Sequence, residues 1–169
     1  MAAKNKARHR SAESLDQVGY PSDSSALKSH TRDYRRLARQ VALQYLHQLT
    51  VQKGANLDQL ESFLTEFTDD HRARPLAREW IEGTWRNLDR IDHLIQKNSH
   101  HWDLNRISLV DRTNLRLAVY QLMFCLDIPP KVVINEAIEL AKLFSTAQAP
   151  AFINGLLDVI RKEIAEQSS

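Results

Sequence analysis

Ile128-Pro129-Pro130-Lys131-Val132-Val133-Ile134-Asn135-Glu136-Ala137-Ile138-Glu139-Leu140-Ala141-Lys142-Leu143-Phe144 is followed by a short polar break and then Pro150-Ala151-Phe152-Ile153-Asn154-Gly155-Leu156-Leu157-Asp158. Prolines open both segments, where the first turn of a helix has no use for the missing N–H. Val133, Ala137, Leu140, Ala141 and Phe144 recur at the spacing of one helical face, and Ile153, Leu156, Leu157, Ile160 and Ile164 repeat it. The pair therefore reads as two packed helices with a tight connection. Asn135, Glu136 and Asn154 interleave with these faces and predict a buried or half-buried polar network that fixes the hairpin, because buried polar groups need partners, with direct ligand contact as the alternative. Gly155 costs about 1 kcal/mol against alanine inside a helix, and predicts a close approach by a neighbouring helix.

Working outward, Ser108-Leu109-Val110-Asp111 has the form of a capping box. The stretch after it is apolar on every side from Leu115 to Leu126 apart from Arg116 and Gln121. A helix without a polar face is a buried helix, so this is the expected central element. Arg112 and Arg116 read as partners of carboxylates, with a ligand contact as the alternative. Tyr34, Leu37, Ala38, Val41, Ala42, Tyr45, Leu46 and Leu49 predict a helix from about Thr31 to Thr50. Asn56 with Gln59 resembles a second capping box, opening a short helix through Leu60, Leu64 and Phe67. Pro75 opens a third helix, expected to run to about Asn98 with Trp80, Thr84, Ile91 and Ile95 inward and Gly83 at a close crossing. Trp102 is expected to plug the seam that follows. No strand pattern occurs. The expected fold is all-α, a compact bundle of six to seven helices in two three-helix subdomains, with 31–169 as one domain.

Composition narrows the function. The chain has 169 residues, enough for one sizeable core, and a formal charge of +2. Residues 1–50 hold nine Lys or Arg and four acids, so the excess of positive charge lies at one end. A basic end on a mildly acidic body suits a polyanion partner. Residues 1–30 lack periodicity and are read as a disordered basic tail. Cys125 is the single cysteine, in an apolar run, and reads as core packing. The four glycines are far apart, so no glycine-rich phosphate loop can be built. His100-His101 lacks a ligand at helical spacing, and no metal or other cofactor is expected. Without a long apolar run or a secretory leader, a soluble cytoplasmic protein is the expectation.

The first helix carries a second periodicity. Arg32, Arg35, Arg36 and Arg39 stand at i, i+3, i+4 and i+7. Four cations at a helix N-terminus oppose its dipole. One reading is a solvated charged face. The sharper one is a surface that contacts phosphates, with Gln44 continuing it toward a base or sugar.

The two C-terminal segments resemble the signature of the bacterial NusB family of transcription antitermination factors. Arg35-Arg36-Leu37-Ala38-Arg39 with Ala42-Leu43-Gln44, Asp111-Arg112 and Leu115-Arg116-Leu117-Ala118-Val119-Tyr120 are similar to its other segments, over about residues 32–164. The resemblance implies an all-helical protein without catalysis. It implies binding to the boxA element of nascent ribosomal RNA transcripts together with the ribosomal protein NusE, within the RNA polymerase elongation complex and its other Nus factors. It implies RNA contacts at Arg35, Arg36 and Arg39, with Arg32 and Gln44 in the same region, and at Phe152, an aromatic able to stack an unpaired base. His47 and Glu82 are the expected partner-binding positions. Phe152 also reads as core, beside Ile153. There are departures: His47 replaces an aromatic, Gln121 a glutamate, Ser145 a glycine, Ala149 a serine, and Ala151 a basic residue.

Two other functions compete. A protein–protein scaffold would leave the arginines as plain surface. An RNA cytosine methyltransferase would need a cofactor loop and a reactive cysteine, and the chain has neither. Self-association into a homodimer is left open.

Overall fold

A computed structural model describes the backbone of residues 24–100 and 103–169, and side chains over 33–100 and 103–169. Most of the basic tail (1–23), the Arg32 side chain, His101 and Trp102 lie outside that description. Seven α-helices are present among the described residues: α1 Ser24–Val51, α2 Leu60–Phe67, α3 Ala73–Arg86, α4 Leu88–Asn98, α5 Leu109–Phe124, α6 Pro130–Phe144 and α7 Ala149–Gln167. No described helix is long and apolar enough to cross a membrane.

α5 is the centre. Leu115, Leu117, Ala118, Val119, Tyr120, Gln121 and Leu122 are all buried, on every side of the helix. α1, α3, α4, α6 and α7 all pack against it. Its start is fixed as expected: Ser108 Oγ accepts from the Asp111 N–H at 3.3 Å and donates to Asp111 Oδ2 at 2.6 Å. Arg116 takes the structural option, with Nε and Nη2 each 2.7 Å from the Asp92 carboxylate of α4. The C-terminal hairpin also forms as expected, with Pro130 and Pro150 in the first turns of α6 and α7.

Four expectations are corrected. α1 begins at Ser24 rather than Thr31, because no breaker follows Pro21 and the helix continues back into segment 24–30. The expected Pro75–Asn98 helix is two helices, α3 and α4. The break is at Asn87, whose Nδ2 donates to the Gly83 carbonyl at 2.7 Å and whose N–H turns to Thr84 at 3.2 Å. Asn135 and Asn154 are exposed, so no buried network of Asn135, Glu136 and Asn154 exists; Glu136 alone is buried. A Cβ added at Gly155 meets nothing within 4 Å, so no helix approaches there.

The fourth of the periodic arginines is interior. Arg39 is 3 % exposed, lies 5.1 Å over the Trp80 ring and donates from Nε to Gln121 Oε1 at 3.3 Å. Burial pulls its pKa down from the usual arginine value. Its guanidinium therefore bridges α1, α3 and α5 instead of joining a phosphate surface, and the assignment of Arg39 to that surface is withdrawn. The fit with Gln121 is imperfect. Arg39 Nη2 and Gln121 Nε2 are both buried donors without acceptors. An unmade buried hydrogen bond costs about 1–3 kcal/mol.

Two predictions follow from this packing. A Cβ at Gly83 would lie 2.1 Å from Cζ and Oη of buried Tyr120. Gly83→Ala is expected to destabilise by about 1–3 kcal/mol through overpacking, whereas Gly155→Ala is expected to stabilise by up to about 1 kcal/mol. Denaturant melts of the two variants check this, and the same sign for both would refute it. Gln121→Glu replaces the stranded Nε2 donor with an acceptor for Arg39 Nη2. It is expected to raise stability by about 1–2 kcal/mol, seen as an increase of several degrees in melting temperature. A lower melting temperature would mean that burying the new charge costs more than the pairing gains.

Candidate nucleic-acid interface

With Arg39 inside, the exposed part of the stripe is Arg35 and Arg36, in the fourth turn of the long α1. Both reach across to α6 or to the turn that precedes it. Arg35 Nη2 stands 4.0 Å from Asp127 Oδ2 in the turn between α5 and α6, with both side chains open to solvent. At that distance and exposure the pair is loose, and such pairs contribute little.

Arg36 is held differently. Its Nε donates to Glu136 Oε2 at 3.2 Å and its Nη2 to Glu136 Oε1 at 3.1 Å. The side chain of Arg36 remains 43 % exposed, that of Glu136 only 10 %. The hydrogen bond to Glu136 is the main cause that raises the Arg36 pKa. The two residues border a polar cleft of about 460 Å³ between α1 and α6, with Val132, Asn135 and Lys142 on its walls. Lys142 Nζ is 2.8 Å from Glu139 Oε1 on the same helix. The cleft thus presents two cations, each steadied by an acid, beside an exposed amide. That chemistry suits an oxyanion such as a phosphodiester.

Gln44 is exposed on α1, further along from Arg36. Arg32 has a helical backbone on the same element. Phe152 lies in the first turn of α7, half-buried against the core. It also lines a second cleft of about 300 Å³ with Arg106, Ser108, Thr146 and Gln148. The two readings of Phe152 are therefore compatible: one part of the ring packs inward and the rest borders a groove large enough for a planar base. His47 on α1 and Glu82 on α3 are both half-buried. Glu82 pairs with Arg86 at 3.4 Å, and His47 Nδ1 is buried without a partner. The two share no hydrogen bond or ion pair among the described residues, but they sit on helices that pack together.

The residue that sequence reasoning misplaced is Glu136, which was grouped with Asn135 and Asn154 as hairpin architecture. Its partner is 100 residues away in the chain. One signal was available. Glu136 stands between Val133 and Ala137 on an inward face, and a carboxylate there requires a cation.

A family model described as NusB matches residues 36–162. The transcription antitermination protein NusB of Syntrophus aciditrophicus is 41 % identical over 134 residues, covering 79 % of this chain and 83 % of that protein. The solved structure of T. maritima NusB is 43 % identical and superposes with a TM-score of 0.69, over 76 % of this chain and 91 % of that one. A second structure, of the antitermination factors NusB and NusE in complex with double-stranded RNA, contains a chain 28 % identical to this one. It superposes with a TM-score of 0.70 over 78 % of this chain and 98 % of that one. On the extent of these matches the chain belongs to the NusB family.

Proposed function

We propose that this chain is a transcription antitermination factor that works by binding and catalyses no reaction. It takes up boxA RNA of nascent ribosomal RNA transcripts together with NusE, and so joins the RNA polymerase elongation complex and its other Nus factors. The observation that carries the reading is the surface pair Arg35 and Arg36 on a chain of this family. A relative of the same fold has been solved with NusE and RNA. Single-stranded RNA is read through exposed bases and a backbone of phosphates, for which a rigid helical platform with arginine forks and an aromatic edge is sufficient. Arg35 and Arg36 supply the phosphate contacts, with Arg32 and Gln44 further contacts on the same helix. Phe152 supplies the stacking edge. His47 and Glu82, on the α1–α3 face, are the positions for NusE.

The methyltransferase alternative fails on its nucleophile. Cys125 is buried at the end of α5, and burial pushes its thiol up to about 11. A thiolate is scarce there at neutral pH.

The test is RNA binding followed by fluorescence anisotropy, using a boxA oligoribonucleotide with and without NusE over a series of salt concentrations. The native chain is expected to bind weakly alone and more tightly with NusE. Arg35→Ala/Arg36→Ala is expected to weaken binding and lower the salt slope by about 1.4, or about 0.7 per phosphate on a single strand. An unchanged affinity and slope would reduce these arginines to a solvated face and leave a protein–protein scaffold as the function.

A further inference from the structure

We propose that Glu136 is a positioning residue for RNA, which presents Arg36 to the phosphodiester backbone in a fixed orientation. The inference rests on the reading that Arg36 contacts RNA, and adds a residue on a different helix to that site.

The geometry is that of a guanidinium held by one edge. A guanidinium offers two forks of donors, Nε with Nη2 and Nη1 with Nη2. Glu136 occupies the first fork at 3.2 and 3.1 Å. Nη1 has no partner among the described residues, and the side chain is 43 % exposed. The second fork, Nη1 with the outer hydrogen of Nη2, is thus left to the solvent side. That fork is the one able to take two oxygens of a phosphate end-on.

Glu136 is itself enclosed. It is 8 % exposed, on the inward face of α6 between Val133 and Ala137. α6 is pinned by Pro130 at its start and packs on α5 and α7. Glu136 also attracts the buried Arg39 guanidinium. It therefore lies in the field of two arginines, one inside and one outside, and the trio carries net positive charge. Asp33 and Glu139 add weaker negative fields at Arg36, with Glu139 occupied by Lys142.

Two opposing effects decide the sign. Glu136 is an acid near a phosphate site, so simple charge counting says that removing it should tighten RNA binding. Against this, an arginine side chain carries roughly 2 kcal/mol of rotamer entropy, part of which a ligand must overcome each time it immobilises a free one. Glu136 has already ordered Arg36 in the free protein. Its charge is largely spent on two cations, so little of it is felt by an incoming phosphate. Orientation is expected to win.

The test uses the full chain and the boxA oligoribonucleotide, with NusE present, by anisotropy across salt. Glu136→Gln keeps the shape and removes the charge. It is expected to weaken binding by about threefold to tenfold, the equivalent of ordering one long side chain, although the protein gains a positive charge. The salt slope should stay native, because the number of cations is unchanged. In an Arg36→Ala background, where no guanidinium remains to be positioned, the same substitution should no longer weaken binding. Equal or tighter binding by Glu136→Gln would overturn the proposal and make the carboxylate a bystander or a competitor of phosphate. A loss that persists in the Arg36→Ala background would also overturn it, by showing a general structural defect. Failure of the RNA reading itself looks different: Arg36→Ala alone would then leave both affinity and slope unchanged.

Discussion

The rest of the molecule depends on one constraint, that α5 buries side chains around most of its circumference. A helix buried all round cannot sit at the edge of a bundle. Its neighbours must enclose it, and α1, α3, α4, α6 and α7 do so. Each can then be amphipathic, because each need cover only one stripe. The capping box at Ser108 and Asp111 fixes where this helix starts, and so the height at which every neighbour meets it. Close packing sets the remaining tolerance. Gly83 lies where the Tyr120 ring crosses α3, and that crossing leaves no room for a methyl group.

The interior is not wholly apolar, and its polar members tie the helical groups together. Arg39 on α1 meets Trp80 on α3 and Gln121 on α5. Asn114 on α5 donates from Nδ2 to the Ala137 carbonyl of α6 at 2.8 Å. Each link crosses from one helix to another, so a sliding of any one helix would leave a buried donor unpaired. Such groups favour a single arrangement over its near alternatives, at a cost in stability when the match is incomplete. The Arg39–Gln121 contact is incomplete in this way, since each side chain keeps a buried donor without an acceptor.

Local patterns in the sequence made the fold legible, because helix periodicity, prolines and capping boxes act within a few residues. The all-α class, the hairpin of α6 and α7 and the central α5 were all readable on that basis. What was not readable depended on contacts distant in the chain. The split at Asn87 turns on one amide taking a carbonyl from Gly83, a choice that periodicity does not record. The arginine stripe was legible as a stripe but not as two populations. Arg36 and Arg39 differ by only three positions, yet one faces the cleft and the other the Trp80 ring. Gly155 misled because a glycine in a helix invites a packing explanation, and the structure has open space there.

The two features that identify the chain, an arginine-rich first helix and the long C-terminal signature, look independent in sequence. The pairing of Arg36 with Glu136 joins them. A surface cation on a long flexible side chain is a poor recognition element by itself, because it must be ordered each time it binds. A carboxylate fixed in the face of a neighbouring helix turns it into a directional donor. The bundle that encloses α5 is what holds α1 and α6 at the separation this requires. The apolar core and the candidate RNA surface are therefore parts of one arrangement: the packing that satisfies α5 also sets which edge of Arg36 meets the solvent.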